Sequence, residues 1–214
     1  MSTELDTSIL ELLASKVCHD LISPIGAVNN GIEFMREMGE DAGDEALDLI
    51  AYSAQQASAK LQAYRIAYGA GGADGSLKPE DVKNAIDAIV TADGKIKQDW
   101  DAYGELGYGM DRPDPYCKML ICALLFAMEC LPKGGTINVE GAGEGKTQIT
   151  ASGENAAPRE NMVDALELKL DKEALQPKHV HPYVTALLAQ KYSFSFSVNT
   201  STADSVIITM SFAV

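Results

Sequence analysis

From Ile9 to about Met38 the apolar residues Leu10, Ala14, Val17, Leu21, Val28, Ile32 and Met35 recur at steps of three or four, with one wider step across Pro24. That spacing predicts one long helix with a single apolar face. The run "EMGEDAGDE" follows, with Gly39, Asp41 and Gly43 as turn residues and Asp44 as the expected cap of a second helix. In that second segment Leu47, Ile50, Ala54, Ala57, Leu61, Tyr64 and Tyr68 step 3, 4, 3, 4, 3, 4, a heptad seam that packs on other helices at a shallow angle. Two antiparallel helices of this length cannot bury such stripes against each other alone. The hairpin is therefore expected to pair with a second copy in a four-helix bundle, making the chain a homodimer.

Residues 69–76, "GAGGADGS", are a glycine-rich connector. They divide the chain into a helical hairpin over 1–70, a linker over 71–76 and a second unit over 77–214. In the second unit Val82, Ala85, Ile86 and Ile89 predict a short helix and "KIKQDW" a strand. From about Asp114 to Leu131 runs the most apolar helix of the chain, stopped by Pro132 and "KGG". "TINVEG" and "KTQITAS" alternate apolar and polar residues as antiparallel strands joined by "AGEG". Helices near Glu160 to Leu168 and His181 to Tyr192 and the closing strands "FSFSVNT" and "SVIITMSFAV" complete an α/β sandwich. The fold class is α+β, with helices on one face of a mostly antiparallel sheet.

Composition narrows the function. The 214 residues are 46% hydrophobic and 22% charged, an ordinary globular balance. A formal charge of −14 repels phosphates at long range and argues against nucleic acid or an anionic membrane as partner. The opening "MSTELDTSIL" has no basic segment followed by an apolar core, and no stretch approaches a membrane helix, so a cytoplasmic protein is expected. Cys18, Cys117, Cys122 and Cys130 show no CxxC pairing and are expected to be small buried or half-buried side chains.

The stretch "SKVCHDLISPIGAV" carries the candidate chemistry. His19 lies two residues from both Val17 and Leu21, so it points roughly 200° away from the buried seam and should be exposed. An exposed imidazole beside Asp20, with no second ligand in range, is a nucleophile or general base rather than a metal site. Pro24 removes a helical hydrogen bond and frees the Asp20 carbonyl, bending the helix next to that histidine. His179 and His181 in "KHVHPY" are expected to be ordinary loop residues, and Trp100, Tyr103 and Tyr108 packing residues.

"HDLISP" resembles the H-box of histidine-kinase dimerisation and phosphotransfer domains, where an exposed histidine is followed by an acid and, five positions on, by proline. "LLFAMECLPKGGTINV" is similar to the N-box helix and following strand of the kinase-type ATP-binding domain. The nucleotide chemistry is missing, however. Phe126 stands where that family places a magnesium-holding asparagine, and an apolar ring cannot replace an oxygen ligand. Gly153 stands in "ITASGENAAP" where the adenine-pocket aspartate belongs, and the glycine-rich lid has no counterpart. A kinase fold without ATP chemistry that keeps the histidine resembles the ChpT family of dimeric histidine phosphotransferases.

That resemblance implies a phosphotransferase in which His19 shuttles a phosphoryl group between aspartates of receiver domains, those of a hybrid histidine kinase and of response regulators. No cofactor is then needed, since Mg2+ comes from the receiver's own acidic pocket. Asp20 would accept a hydrogen bond from the imidazole and fix its tautomer. A receiver seated on His19 would cover its helical neighbours Leu12, Ser15, Lys16, Ile22, Ser23 and Gly26. The alternatives are an ATP-dependent sensor kinase core and a dimeric scaffold that binds receivers without accepting phosphate.

Overall fold

The computed structural model describes residues 7–39, 43–71, 75–108 and 112–213. Residues 1–6 of the opening segment, Asp41 of the expected turn, residues 72–74 of the connector and Val214 lie outside the described residues. Two long helices, α1 (Thr7–Met38) and α2 (Gly43–Tyr68), form the hairpin. There follow α3 (Pro79–Asp93), β1 (Ile96–Gln98), α4 (Tyr116–Glu129), β2 (Gly135–Gly141), β3 (Lys146–Ser152), α5 (Met162–Leu166), α6 (Pro177–Lys191), β4 (Phe194–Asn199) and β5 (Ser205–Phe212). Among the described residues no helix is long and apolar enough to cross a membrane.

The strands form one sheet in the order β1-β2-β3-β5-β4, parallel only between β1 and β2, with α4 as the crossover. Register puts the apolar positions on one face. Ile137 and Val139 of β2 lie opposite Ala151 and Ile149 of β3, which in turn oppose Val206 and Ile208 of β5. All six are buried, while their neighbours along each strand are less so, as the two-residue period requires. Onto this face packs α4, buried on almost every side from Tyr116 to Ala127. A helix that is apolar all round belongs at the centre of a core.

The hairpin is rooted in the same core. Ala63, Ile66 and Ala67 near the end of α2 join the cluster around α4. Lys118 of α4, only 1% exposed, donates from Nζ to the carbonyls of Ile66 at 3.1 Å and Gly69 at 2.6 Å. Carbonyls in the last turn of a helix have no helical donor, so the buried ammonium satisfies groups that would otherwise be stranded. Burial pushes this ammonium below its ordinary value. Gly31 lets α1 approach α2, since a Cβ there would stand 2.5 Å from Cγ1 of Ile50.

Several local expectations change. Asp44 lies within the first turn of α2, which begins at Gly43, so it is not the residue preceding the helix. Helix α6 starts at Pro177, not His181, with that proline in its first turn, where the missing N–H costs nothing. His179 and His181 are therefore buried helical residues rather than loop residues. Cys18 is exposed on α1, and Tyr103 is exposed rather than packed.

Candidate functional site

Pro24 is buried within α1, five residues beyond His19. Proline has no N–H for the carbonyl four residues earlier, that of Asp20. The ammonium of Lys60 on α2 takes its place, 3.3 Å from that oxygen. His19 projects outward with 88% of its side chain exposed, and Asp20 turns inward with 16%. Nδ1 of His19 lies 3.4 Å from Oδ1 of Asp20. The other carboxylate oxygen, Oδ2, accepts from Lys16 Nζ at 2.7 Å and from the phenol of Tyr64. Lys16 is also 3.6 Å from Oε1 of Glu129 on α4. Burial alone would raise the Asp20 carboxyl, but the hydrogen bonds from Lys16, Tyr64 and His19 and the charge of Lys16 hold it below its ordinary value.

Behind Asp20 the polar contacts continue into the C-terminal layer. Tyr64 stacks on Tyr68 with ring centroids 5.6 Å apart. The Tyr68 hydroxyl is 2.6 Å from Nδ1 of His181, whose Nε2 is 3.1 Å from the carbonyl of Cys122. A carbonyl only accepts, so Nε2 carries the proton and Nδ1 accepts from the tyrosine. Burial lowers the His181 pKa, in keeping with a neutral ring. Beside this chain runs a cleft of about 280 Å³, where Lys16, Lys60, Arg159 and Glu129 border apolar side chains of α3 and α4.

The two positions expected to lack nucleotide chemistry are both enclosed. Phe126 is 1% exposed and part of the core. At Gly153 a Cβ would stand 2.3 Å from the backbone oxygen of Gly134, so an aspartate has no room there. Among the described residues no cluster of three or more histidine, cysteine, aspartate or glutamate side chains could hold a metal ion.

Residues 79–204 match the family model described as the histidine phosphotransferase C-terminal domain. The chain is 32% identical over 213 residues to the protein phosphotransferase ChpT of Brucella abortus (strain 2308), covering 96% of this chain and 98% of that one. It belongs to the histidine phosphotransferase family. A solved structure of a bacterial phosphotransferase superposes with a TM-score of 0.78 at 31% identity, over 97% of this chain and 98% of the other. The activity is therefore that of a protein phosphotransferase in a phosphorelay, on an α+β fold, and neither an ATP-dependent kinase nor an inert scaffold is favoured.

On this histidine phosphotransferase the residues expected around His19 divide into two groups. Ser15, Ile22 and Ser23 are exposed, Ile22 at 69%, and Gly26 has open space where a side chain would begin. Leu12 and Lys16 do not belong with them. Leu12 shares the helical face of His19, but two turns lower, where Ala165, Leu175 and Tyr183 of the C-terminal layer cover it. Lys16 is half-buried because its long side chain swings to Asp20 and Glu129. Sequence alone missed Lys60, Tyr64 and Glu129 as site residues. Lys60, Tyr64 and Tyr68 recur every four residues on one stripe of α2, a polar-tipped row within an apolar seam, and that row was the available signal.

Proposed function

We propose that His19 accepts a phosphoryl group from the phospho-aspartate of a receiver domain in a hybrid histidine kinase and passes it to the aspartate of a receiver in a response regulator. The carrying observation is the pairing of an 88% exposed imidazole with a carboxylate fixed from behind. With the Nδ1 proton donated to Oδ1 of Asp20, the lone pair of Nε2 faces solvent and attacks phosphorus. The N–P bond forms as the P–O bond of the acyl phosphate breaks, and the aspartate carboxylate leaves with the electron pair. Positive charge gathered on the ring lies against Asp20. The second transfer is the reverse, with a new carboxylate attacking phosphorus and Nε2 leaving. Such chemistry depends on in-line placement and charge neutralisation, and the receiver's acidic pocket brings the magnesium. This chain needs no cofactor of its own.

Ser15, Ile22, Ser23 and Gly26 form the receiver's docking surface in this reading, and a relay between such partners operates in the cytoplasm. The hairpin over 1–70 is the dimerisation and transfer unit, 71–76 the linker and 77–214 the degenerate kinase-type unit. A homodimer joined through a four-helix bundle is supported by apolar surface left over on the hairpin. Within one chain α1 buries only Pro24 and Gly31, while Ile25, Ile32, Leu47 and Leu61 stay exposed. The test is intact mass after mixing with a phosphorylated receiver and magnesium, beside a tube with Mg-ATP alone. One phosphate added from the receiver only, and lost in His19→Ala, is expected. An adduct that persists in His19→Ala overturns the assignment.

A further inference from the structure

Asp20 is held through one carboxylate oxygen and turns the other toward His19. The Tyr64 phenol and the Lys16 ammonium both converge on Oδ2, which leaves Oδ1 as the oxygen turned to Nδ1 of His19. These two donors differ in kind. Lys16 is a flexible ammonium divided between Asp20 and Glu129. Tyr64 is a rigid ring, stacked on Tyr68, which is itself tied to His181 and through it to the Cys122 carbonyl of α4. We propose that Tyr64 is a positioning residue for phosphoryl transfer, which orients Asp20 so that its Oδ1 keeps the Nδ1–H tautomer of His19, and that the C-terminal layer serves the reaction by fixing Tyr64. The inference rests on His19 being the nucleophile.

The chemistry favours a phenol here. Its O–H donates at every physiological pH, since burial first, and then the hydrogen bond to Asp20 and the nearby charges of Asp20 and Glu129, push its ionisation far above the ordinary tyrosine value. A donor that never becomes a base cannot take the proton that must stay on His19. The groups facing Asp20 are Lys16 and His19 from α1, Lys60 and Tyr64 from α2 and, one contact further, Glu129 from α4 and His181 from α6. Of these, Tyr64 alone is uncharged, stacked and bonded to the carboxylate. The first transfer is unchanged in atoms and electrons by this role: Nε2 donates its pair to phosphorus, and Tyr64 keeps its proton throughout.

The variants are Tyr64→Phe, Asp20→Asn and both together in the full chain, assayed with a phosphorylated receiver and magnesium, with His19→Ala alongside. The first readout is the nitrogen-15 spectrum of neutral His19, which distinguishes the two tautomers without any transfer taking place. Tyr64→Phe should move His19 from Nδ1–H toward the mixture found in a free imidazole. It should lower kcat by about tenfold with KM unchanged, the scale seen when an outer partner that orients a histidine is removed. In the Asp20→Asn background the same substitution should cause no further loss, because an amide whose oxygen takes the Tyr64 hydrogen bond presents no acceptor to Nδ1–H. A His19 tautomer unchanged in Tyr64→Phe, or a full additional loss in the double variant, overturns the proposal. Transfer surviving in His19→Ala instead overturns the nucleophile assignment and with it any part of Tyr64 in the reaction.

Discussion

The ammonium of Lys60 lies 3.3 Å from the backbone carbonyl of Asp20, the carbonyl that Pro24 leaves without a helical donor. The carbonyl freed by Pro24 and the second helix of the hairpin thus meet in this contact, beside the histidine proposed to carry the chemistry. Removing the donor in Lys60→Met should cost about 1 kcal/mol, the usual worth of one hydrogen bond to a group that water partly reaches. In a Pro24→Ala background the residue at 24 regains its N–H, the carbonyl is satisfied within the helix, and the same Lys60 substitution should cost less. Urea denaturation of the four proteins measures the coupling. Equal costs in both backgrounds would refute the link between the lysine and the proline.

Lys118 makes a prediction of another kind, because its two acceptors belong to the end of the hairpin and its backbone to the core helix. Lys118→Met retains much of the bulk but leaves the Ile66 and Gly69 carbonyls without their donor. The loss of charge-assisted bonds outweighs the relief of no longer burying a charge, and the net cost should be about 1 to 2 kcal/mol. Native-state hydrogen exchange should show protection falling first in the last turn of α2. Uniform loss across the sheet would mean that Lys118 merely fills space.

Surface substitutions separate docking from dimerisation. Ile22 is one turn from His19 and exposed, whereas Leu47 and Leu61 lie in the heptad seam of α2. Ile22→Ala should raise KM for a phosphorylated receiver by about tenfold, the scale of a modest interface anchor, and leave kcat unchanged. Leu47→Glu with Leu61→Glu should yield monomers in light scattering. Dissociation of the proposed dimer by Ile22→Ala alone would reassign that residue to the interface between copies.

What could be read from the sequence was whatever a single segment decides. The steps of three and four gave α1 and α2 within a few residues, and the alternation in "TINVEG" and "KTQITAS" gave β2 and β3. His19 was legible because two residues from each of two seam positions is a statement about one helix. Tyr64 was not, since its meaning depends on a carboxylate 44 residues away in the chain, and periodicity tells which face a side chain takes but not which polar atom waits across the gap. Lys16 misled for a related reason: its Cα sits near that of His19 on the helix, but its charge is at the end of a long side chain and goes where the acids are. At α6 the error was local. Pro182 read as a start, although Pro177 already supplied one.

Alkaline pH should weaken the fold through its buried thiols. Burial pushes the thiols of Cys117, Cys122 and Cys130 up to about 12 each, from an ordinary value of 9.0. Between those values the folded chain keeps protons that the unfolded chain has released. Stability from these groups is therefore complete below pH 9 and lost as pH rises toward about 12. Each thiol contributes a slope of up to about 1.4 kcal/mol per pH unit in that window. The raised phenols of Tyr108 and Tyr116 act in the same direction above pH 10. Cys122 is the best placed for a test, being fully buried at the centre of α4. Cys122→Ala leaves a small void that lowers stability at every pH, so only the slope is informative. Urea unfolding from pH 8 to 11 should decline less steeply in the variant than in the unsubstituted protein, and two parallel curves would show that Cys122 keeps no such proton in the folded state.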